Sequence, residues 1–344
     1  MTERQFWNEE IETMAPAALR RLEAKRLKTF VEYIYKASPY YKWVFDQADM
    51  APGDIKKTDD IGDLPLMEKS DLLRAQRDGA FIGLNQCALF EKIVRLSGTE
   101  SGAGNFLRMA WTQNDIDVQN EMGARALWTM GCRPAHLVVN CTRYGLNANG
   151  MMIQQAVETA GATAVAYGDG GVRDLFDLLN GMMRDVILLG TPGYASLLAD
   201  LAQDEGLGLK AFGLRRGFLI GQGARAMPGD RRELQDQFGM ETRDVYHVPE
   251  LGLYSGECGQ GEGLHFGGGG HILVQLIHPS SGQSATWEDG ACGEMVYTTL
   301  TRQACPLLRL RSGQHVQIFT EPCACGRTSF RFRSLVPGHN HRTD

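Results

Sequence analysis

An α/β fold, with a doubly wound, mostly parallel sheet between a helical lead and a β-rich tail, is what the 344-residue sequence predicts, on three observations. Apolar residues recur at helical spacing through the first ninety residues. From about residue 91 to 250, short β-prone runs alternate with amphipathic helical stretches across short links. Beyond residue 250 helical periodicity fades, and strands follow one another between Gly-, Pro- and Ser-rich turns. The expected organisation is a lead at 1–90 that packs on the core, α/β subdomains at 91–250, and a β-rich, barrel-like subdomain at 251–344.

Leu27, Phe30, Val31 and Ile34 form one apolar helical stripe. Ser38-Pro39 ends that helix and opens another, because Pro at the first helical position gives up an N–H that has no partner there. Pro52-Gly53 and Pro65 lead to a short helix near Ser70, the expected N-cap. Strands are expected at 92–96 and 107–111, flanking a Gly-rich turn at 97–104. Thr112 should cap a helix running to Met130, with Gly131 as its stop. Strand–helix pairs follow at 136–140 and 148–160, 163–167 and 173–183, 186–190 and 192–204, and 217–220 and 228–238, before a strand at 243–247. Sheets of this kind take ligands at the carboxyl ends of their strands. Strands at 272–277, 294–299, 316–320 and 329–333 complete the series.

With 43% hydrophobic residues, 22% charged residues and a net charge of −6, the chain can form a large core. Its acidity argues against a nucleic-acid binder that works by neutralising phosphates. No apolar run approaches the ~18 residues that span a bilayer, and the start carries no secretory pattern. A soluble, cytoplasmic protein is therefore expected, with no membrane partner. Eight cysteines in such a chain read as thiols or metal ligands. Cys87, Cys132, Cys141, Cys292 and Cys305 stand singly and read as small core residues.

Four features could carry chemistry. Ser97-Gly98-Thr99-Glu100-Ser101-Gly102-Ala103-Gly104 follows a strand and offers backbone and hydroxyl donors to phosphate, although an ordinary Gly/Ser hairpin has the same composition. Glu250, just past the strand at 243–247, could hold a divalent cation or be a solvated loop carboxylate. Arg309 and Arg311 alternate on a predicted strand, which would put both guanidinium groups on one face toward an anion. Cys258, His265, Cys323 and Cys325 make up a complete tetrahedral zinc set with no open position, so such a site would be structural; the alternative is unrelated thiols. No Gly-x-Ser-x-Gly elbow supports a hydrolase.

The pieces, in this order, resemble the phenylacetate–coenzyme A ligase branch of the adenylate-forming enzymes. The likeness begins at Phe6-Trp7-Asn8-Glu9-Glu10-Ile11-Glu12-Thr13-Met14, Ser38-Pro39-Tyr40-Tyr41 and Leu64-Pro65. It resumes at Gly190-Thr191-Pro192-Gly193-Tyr194, Asp244-Val245-Tyr246 and Gly263-Leu264-His265. It is strongest at Gly293-Glu294-Met295-Val296-Tyr297-Thr298-Thr299-Leu300-Thr301, Pro306-Leu307-Leu308-Arg309 and Cys325-Gly326-Arg327-Thr328. The resemblance implies ATP- and Mg²⁺-dependent conversion of an aromatic or acyl carboxylate into an acyl-adenylate, with transfer to coenzyme A. On it, Ser97, Gly98, Thr99, Ser101 and Gly102 belong to the phosphate loop, and Glu250 is the catalytic acid that holds Mg²⁺. Gly223, Tyr246 and His247 line the adenine pocket, Gln314 takes the ribose position, and Tyr144-Gly145 borders the carboxylate pocket. Cys258, His265, Cys323 and Cys325 match zinc ligands of the branch.

The departures from the family pattern matter as much. The family loop reads Ser-Gly-Thr-Thr-Gly-Lys-Pro; here Glu100 follows Thr99 and the lysine is missing. The ribose aspartate is replaced by Gln314, the glutamate of the adenine loop by Ala224, and the Ser or Thr before the Mg²⁺ acid by Pro249. The chain reaches Asp344 near the hinge that precedes the family's mobile C-terminal domain. A core of low or altered activity is expected, in specialised aromatic or antibiotic metabolism. It could work with an acyl acceptor protein or a separate C-terminal-type domain, and self-association is compatible with the sequence. The alternatives are a non-catalytic acid-binding subunit and an acyl-protein synthetase-like acyltransferase.

Overall fold

The computed structural model describes residues 4–78, 81–100, 106–180, 184–206, 213–221, 235 and 239–335. Among them the chain forms two compact units, one of 9–118, 268–322 and 326–335, the other of 4–8, 119–267 and 323–325.

The first unit opens with α1 (Glu9–Glu12), α2 (Pro16–Ala37) and α3 (Pro39–Gln47). Leu27, Phe30, Val31 and Ile34 are buried as the apolar stripe requires, and Pro39 starts α3. In α4 (Lys69–Arg77) the cap is Glu68, not Ser70. The Asp71 carboxylate accepts the Glu68 N–H at 2.9 Å, so Ser70 lies inside the first turn. The β1 strand (Arg95–Glu100) pairs antiparallel with β2 (Phe106–Trp111) and runs three residues past the expected start of the Gly-rich turn.

Glu23 is a buried carboxyl on α2. Burial raises its pKa to about 7, against the lowering effects of the Gly270 N–H, Arg20 and Arg26. Unfolded, the group titrates near 4.5. Between those two values the unfolded chain is already ionised while the folded chain still holds the proton. Stability should therefore fall as pH rises through that window, by an amount on the order of 3 kcal/mol at most, and flatten above it. Urea midpoints from pH 5 to 8 should show this slope, and Glu23→Gln should remove it.

The chain enters the second unit within α5 (Gln113–Thr129). Thr112 and Asp115 cap it reciprocally, Thr112 Oγ1 accepting the Asp115 N–H and the Asp115 carboxylate accepting the Thr112 N–H. Gly131 ends it with φ 91°, a value that only glycine adopts readily. Then come β3 (Leu137–Asn140), α6 (Ala148–Thr159), β4 (Thr163–Ala166), α7 (Val172–Leu179), β5 (Val186–Gly190), α8 (Pro192–Asp204), β6 (Leu214–Ile220) and β7 (Glu241–Val248). The expected helix at 228–238 falls largely outside the described residues. Strands β4, β3, β5, β6 and β7 lie side by side in that order, all parallel. Leu137, Val139, Val186 and Leu188 pack with Leu175, Phe176, Leu198 and Ala199 of α7 and α8 on one face. α5 and α6 take the other, where Gly123 and Gly256 admit close approach.

Two strands that periodicity did not show continue this sheet: β8 (Leu253–Glu257), antiparallel to β7, and β9 (Leu264–Phe266), antiparallel to β8. In the first unit β10 (Ile272–Ile277), β11 (Cys292–Thr299), β12 (Leu310–Phe319) and β13 (Arg331–Ser334) form an antiparallel meander in chain order. Among the lone cysteines, Cys132, Cys141 and Cys305 are buried as expected. Cys87 is only partly buried and Cys292, at the first position of β11, is exposed.

Candidate functional site

In the second unit the candidate residues gather at the carboxyl ends of the parallel strands. Asn140, at the end of β3 and fully buried, donates through Nδ2 to Tyr144 Oη and to the Gly150 carbonyl, both at 2.9 Å. Tyr144 in turn hydrogen-bonds Gln154 Oε1 at 2.9 Å. Its hydroxyl is thus committed to protein, and Tyr144 has its ring to offer a ligand. Gly145 has φ 89°, which turns the chain after Tyr144 toward α6.

Tyr246 and His247 are consecutive residues of β7, so their side chains leave opposite faces of the sheet. His247 pairs directly across from Tyr254 of β8 and stacks on it, ring centroids 4.2 Å apart at 13°. Part of the residue reaches the surface, but both ring nitrogens are buried without a hydrogen-bond partner. Each such atom costs about 1–3 kcal/mol when left unpaired. Burial pushes the imidazole down to about 3, outweighing the opposite pull of Glu250, so it is neutral at physiological pH. Glu250 itself is buried, two residues past β7, which disposes of the solvated-loop alternative. Gly223 and Ala224 lie outside the described residues.

In the first unit Ser97, Gly98 and Thr99 are strand residues of β1, not turn residues. Ser97 Oγ accepts the Trp111 indole N–H at 2.8 Å, and Ser97 and Thr99 are buried. A Cβ at Gly98 would fall 1.9 Å from the Phe106 ring and 2.7 Å from the Leu107 carbonyl. Gly98 is therefore required by hairpin packing, whatever else it does. Ser101 and Gly102 lie outside the described residues. Gln314 sits in β12 with Oε1 buried and unpartnered, an acceptor free for a ligand hydroxyl.

The two arginines do not share an anion. Arg309 precedes β12 with φ 52°, outside the pleat, so alternation does not extend to it. Its guanidinium donates to the carbonyls of Gly62 and Leu64 and to Gln275. Arg311 forms a bidentate pair with Glu294, at 2.6 Å for the shorter contact.

Cys258, His265, Cys323 and Cys325 converge although sixty residues separate the two pairs. The β8–β9 hairpin sets Gly256 opposite His265 and brings Cys258 beside it. Gln5 Nε2 donates to the Cys325 carbonyl at 2.9 Å and holds the second pair. Cys258 Sγ is 3.6 Å from Cys323 Sγ, Cys325 Sγ is 3.3 Å from His265 Nε2, and all four ligand atoms lie within 4.8 Å of one another. Tetrahedral thiolates on Zn²⁺ are separated by about 3.8 Å, given Zn–S bonds of about 2.3 Å. The donor set fits that ion. The Cys325 hydrogen bond pulls the Cys258 thiol far below its usual range; burial opposes the shift and His265 adds to it.

Comparison with known proteins joins these observations. No family model matches the sequence. A phenylacetate–coenzyme A ligase of Thermus thermophilus is 30% identical over 336 residues, which cover 96% of this chain and 73% of that protein. The chain belongs to the phenylacetate–coenzyme A ligase family. A ligase of the same name from Escherichia coli is 28% identical over 309 residues, 88% of this chain and 68% of its own. Among solved structures, an open conformation of a 2-hydroxyisobutyryl-CoA ligase, in complex with its acyl-adenylate and CoA, superimposes with TM-score 0.87. It is 25% identical and is matched over 97% of this chain and 77% of its own. The family fold of the adenylate-forming enzymes is the fold described above. No helix among the described residues is long and apolar enough to cross a membrane.

One residue of this family member escaped the sequence reading. Gln119 of α5 is fully buried on the face that also holds Ile116 and Met122, and its Oε1 has no partner. A glutamine at a core-facing position of a helix was the available signal.

Proposed function

We propose that the protein binds a carboxylic acid, aromatic by preference, and activates it as an acyl-adenylate with ATP and Mg²⁺, at a rate below that of its relatives. Coenzyme A is the natural acceptor. Family membership over 96% of the chain, together with a buried Glu250 at the carboxyl edge of the sheet, carries the reading. Glu250 supplies the oxygen ligand for Mg²⁺, and Tyr144 lends an aromatic wall to the acid. Gln314 takes a ribose hydroxyl through its orphaned Oε1. Zn²⁺ at Cys258, His265, Cys323 and Cys325 would tie the β8–β9 hairpin to the 323–325 turn, and with four protein ligands it takes no part in the chemistry.

The absent lysine and the Glu100 carboxylate are what favour lowered activity over the full rate. They also favour the second reading, an acid-binding subunit that no longer adenylates. Acid-dependent exchange of labelled pyrophosphate into ATP separates the two. Slow but measurable exchange that requires Mg²⁺ and is reduced at least tenfold in Glu250→Gln is expected. Acid binding with no exchange at any acid tried would leave the binding subunit.

A further inference from the structure

Two side chains on the α5/α6 face of the second unit, linked through Tyr254, carry polar atoms that the protein leaves unbonded. His247 lies flat on Tyr254, with both nitrogens buried and unpartnered. The edge of Tyr254 packs on Gly123 of α5, where a Cβ would be 3.3 Å from Tyr254 Cε2 and 2.4 Å from Ala156 Cβ of α6. One turn earlier on the same face of α5 is Gln119; one turn earlier on α6 is Met152. Gln119 Nε2 donates to the Met152 carbonyl at 3.1 Å. That bond fixes the amide the right way round and turns its oxygen, fully buried and unpartnered, into the acceptor left over.

We infer that Gln119 and His247 form a recognition point for a hydroxyl or amino substituent on the acid, so that the preferred substrate is a hydroxylated or aminated carboxylic acid. The inference rests on the proposed acid-binding function. Gln119 Oε1 can only accept, and a neutral imidazole offers one donor and one acceptor. An unsubstituted aryl acid has nothing to give these atoms, and its carboxylate would set negative charge against the amide oxygen. A hydroxyl both donates and accepts, and an amino group donates twice. Tyr144 does not compete for the substituent, because Asn140 and Gln154 already hold its hydroxyl. Sites that hydrogen-bond a substrate hydroxyl discriminate strongly against the analogue without it.

Calorimetry of the full chain without nucleotide, on matched pairs of acids, tests this. Benzoate is compared with 3-hydroxy- and 3-aminobenzoate, and phenylacetate with its three ring-hydroxylated isomers. At least one substituted acid should bind about tenfold or more tightly than its parent. His247→Phe, which keeps the stack on Tyr254, and Gln119→Met should each bring that ratio to within about twofold. Parent acids that bind as tightly as every substituted one would overturn the inference. So would a ratio unchanged in both variants, which would mean that an internal water satisfies these atoms. The wild-type ratio decides alone if a variant fails to fold. Because ATP is left out, a preference without pyrophosphate exchange removes adenylation and keeps the recognition point; exchange without preference does the reverse.

Discussion

Purified protein should carry about one zinc per chain, and Cys323→Ala with Cys325→Ala should abolish it together with much of the thermal stability. The expectation follows from what four converged donors do without an ion. Three thiols and an imidazole lie within 4.8 Å of one another, three of the four side chains buried. The Cys258 thiol is drawn far toward the thiolate by Cys325, as a metal ligand needs. Closing these ligands on Zn²⁺ joins β8 and β9 to residues sixty positions away, and structural zinc is worth roughly 10 kcal/mol or more in small domains. A larger unit with its own core would lose only part of that, yet still more than typical point substitutions. Metal content by plasma emission and melting with and without chelator would show it. Zinc-free protein with an unchanged melting temperature in the double variant would mean that the four side chains are only neighbours.

How far the sequence could be read depended on which physical signal each element carries. The stop of α2 and both ends of α5 were legible from an apolar stripe and caps, and the parallel strands β3, β4 and β5 to within a residue. The misreadings are local and have causes. β8 and β9 are five and three residues long, too short for alternation to register, yet they position Cys258 and His265. Glycines and hydroxyls predict a turn at 97–104, but Gly98 serves the Phe106 ring and its neighbours Ser97 and Thr99 belong to a ladder. Pairing is what composition cannot show. Arg327 and Glu12, both buried and 2.8 Å apart, join two stretches that resemble the family and lie 315 positions apart. The candidate site was legible as a list of residues and not as an arrangement. Nothing in the sequence says that His247 stacks on Tyr254, and nothing marks Gln119 except its being a glutamine on a buried face.

ATP is expected to bind weakly, and restoring the family's loop chemistry should strengthen it roughly ten- to hundredfold. A hydrogen bond to a charged group contributes about 1.5–3 kcal/mol, and each 1.4 kcal/mol is a factor of ten. The family's lysine supplies one such bond to the polyphosphate; here the residues after Thr99 are Glu100-Ser101-Gly102-Ala103-Gly104. A carboxylate beside a triphosphate repels it, more so where protein excludes water than in bulk. On the proposed function the ribose position would compound the loss, since Gln314 presents one amide oxygen where a carboxylate would accept from two hydroxyls. Glu100→Thr combined with Ala103→Lys removes the repulsion and returns the cation. Calorimetry with ATP–Mg²⁺ should then show the gain, while affinity for the acid, which the proposed function assigns to residues of the other unit, should stay where it was. Micromolar binding of ATP to the unaltered chain, with brisk pyrophosphate exchange, would sink the idea of a weakened phosphate loop. An unchanged affinity in the double variant would show that the phosphates are held by residues other than those of this loop.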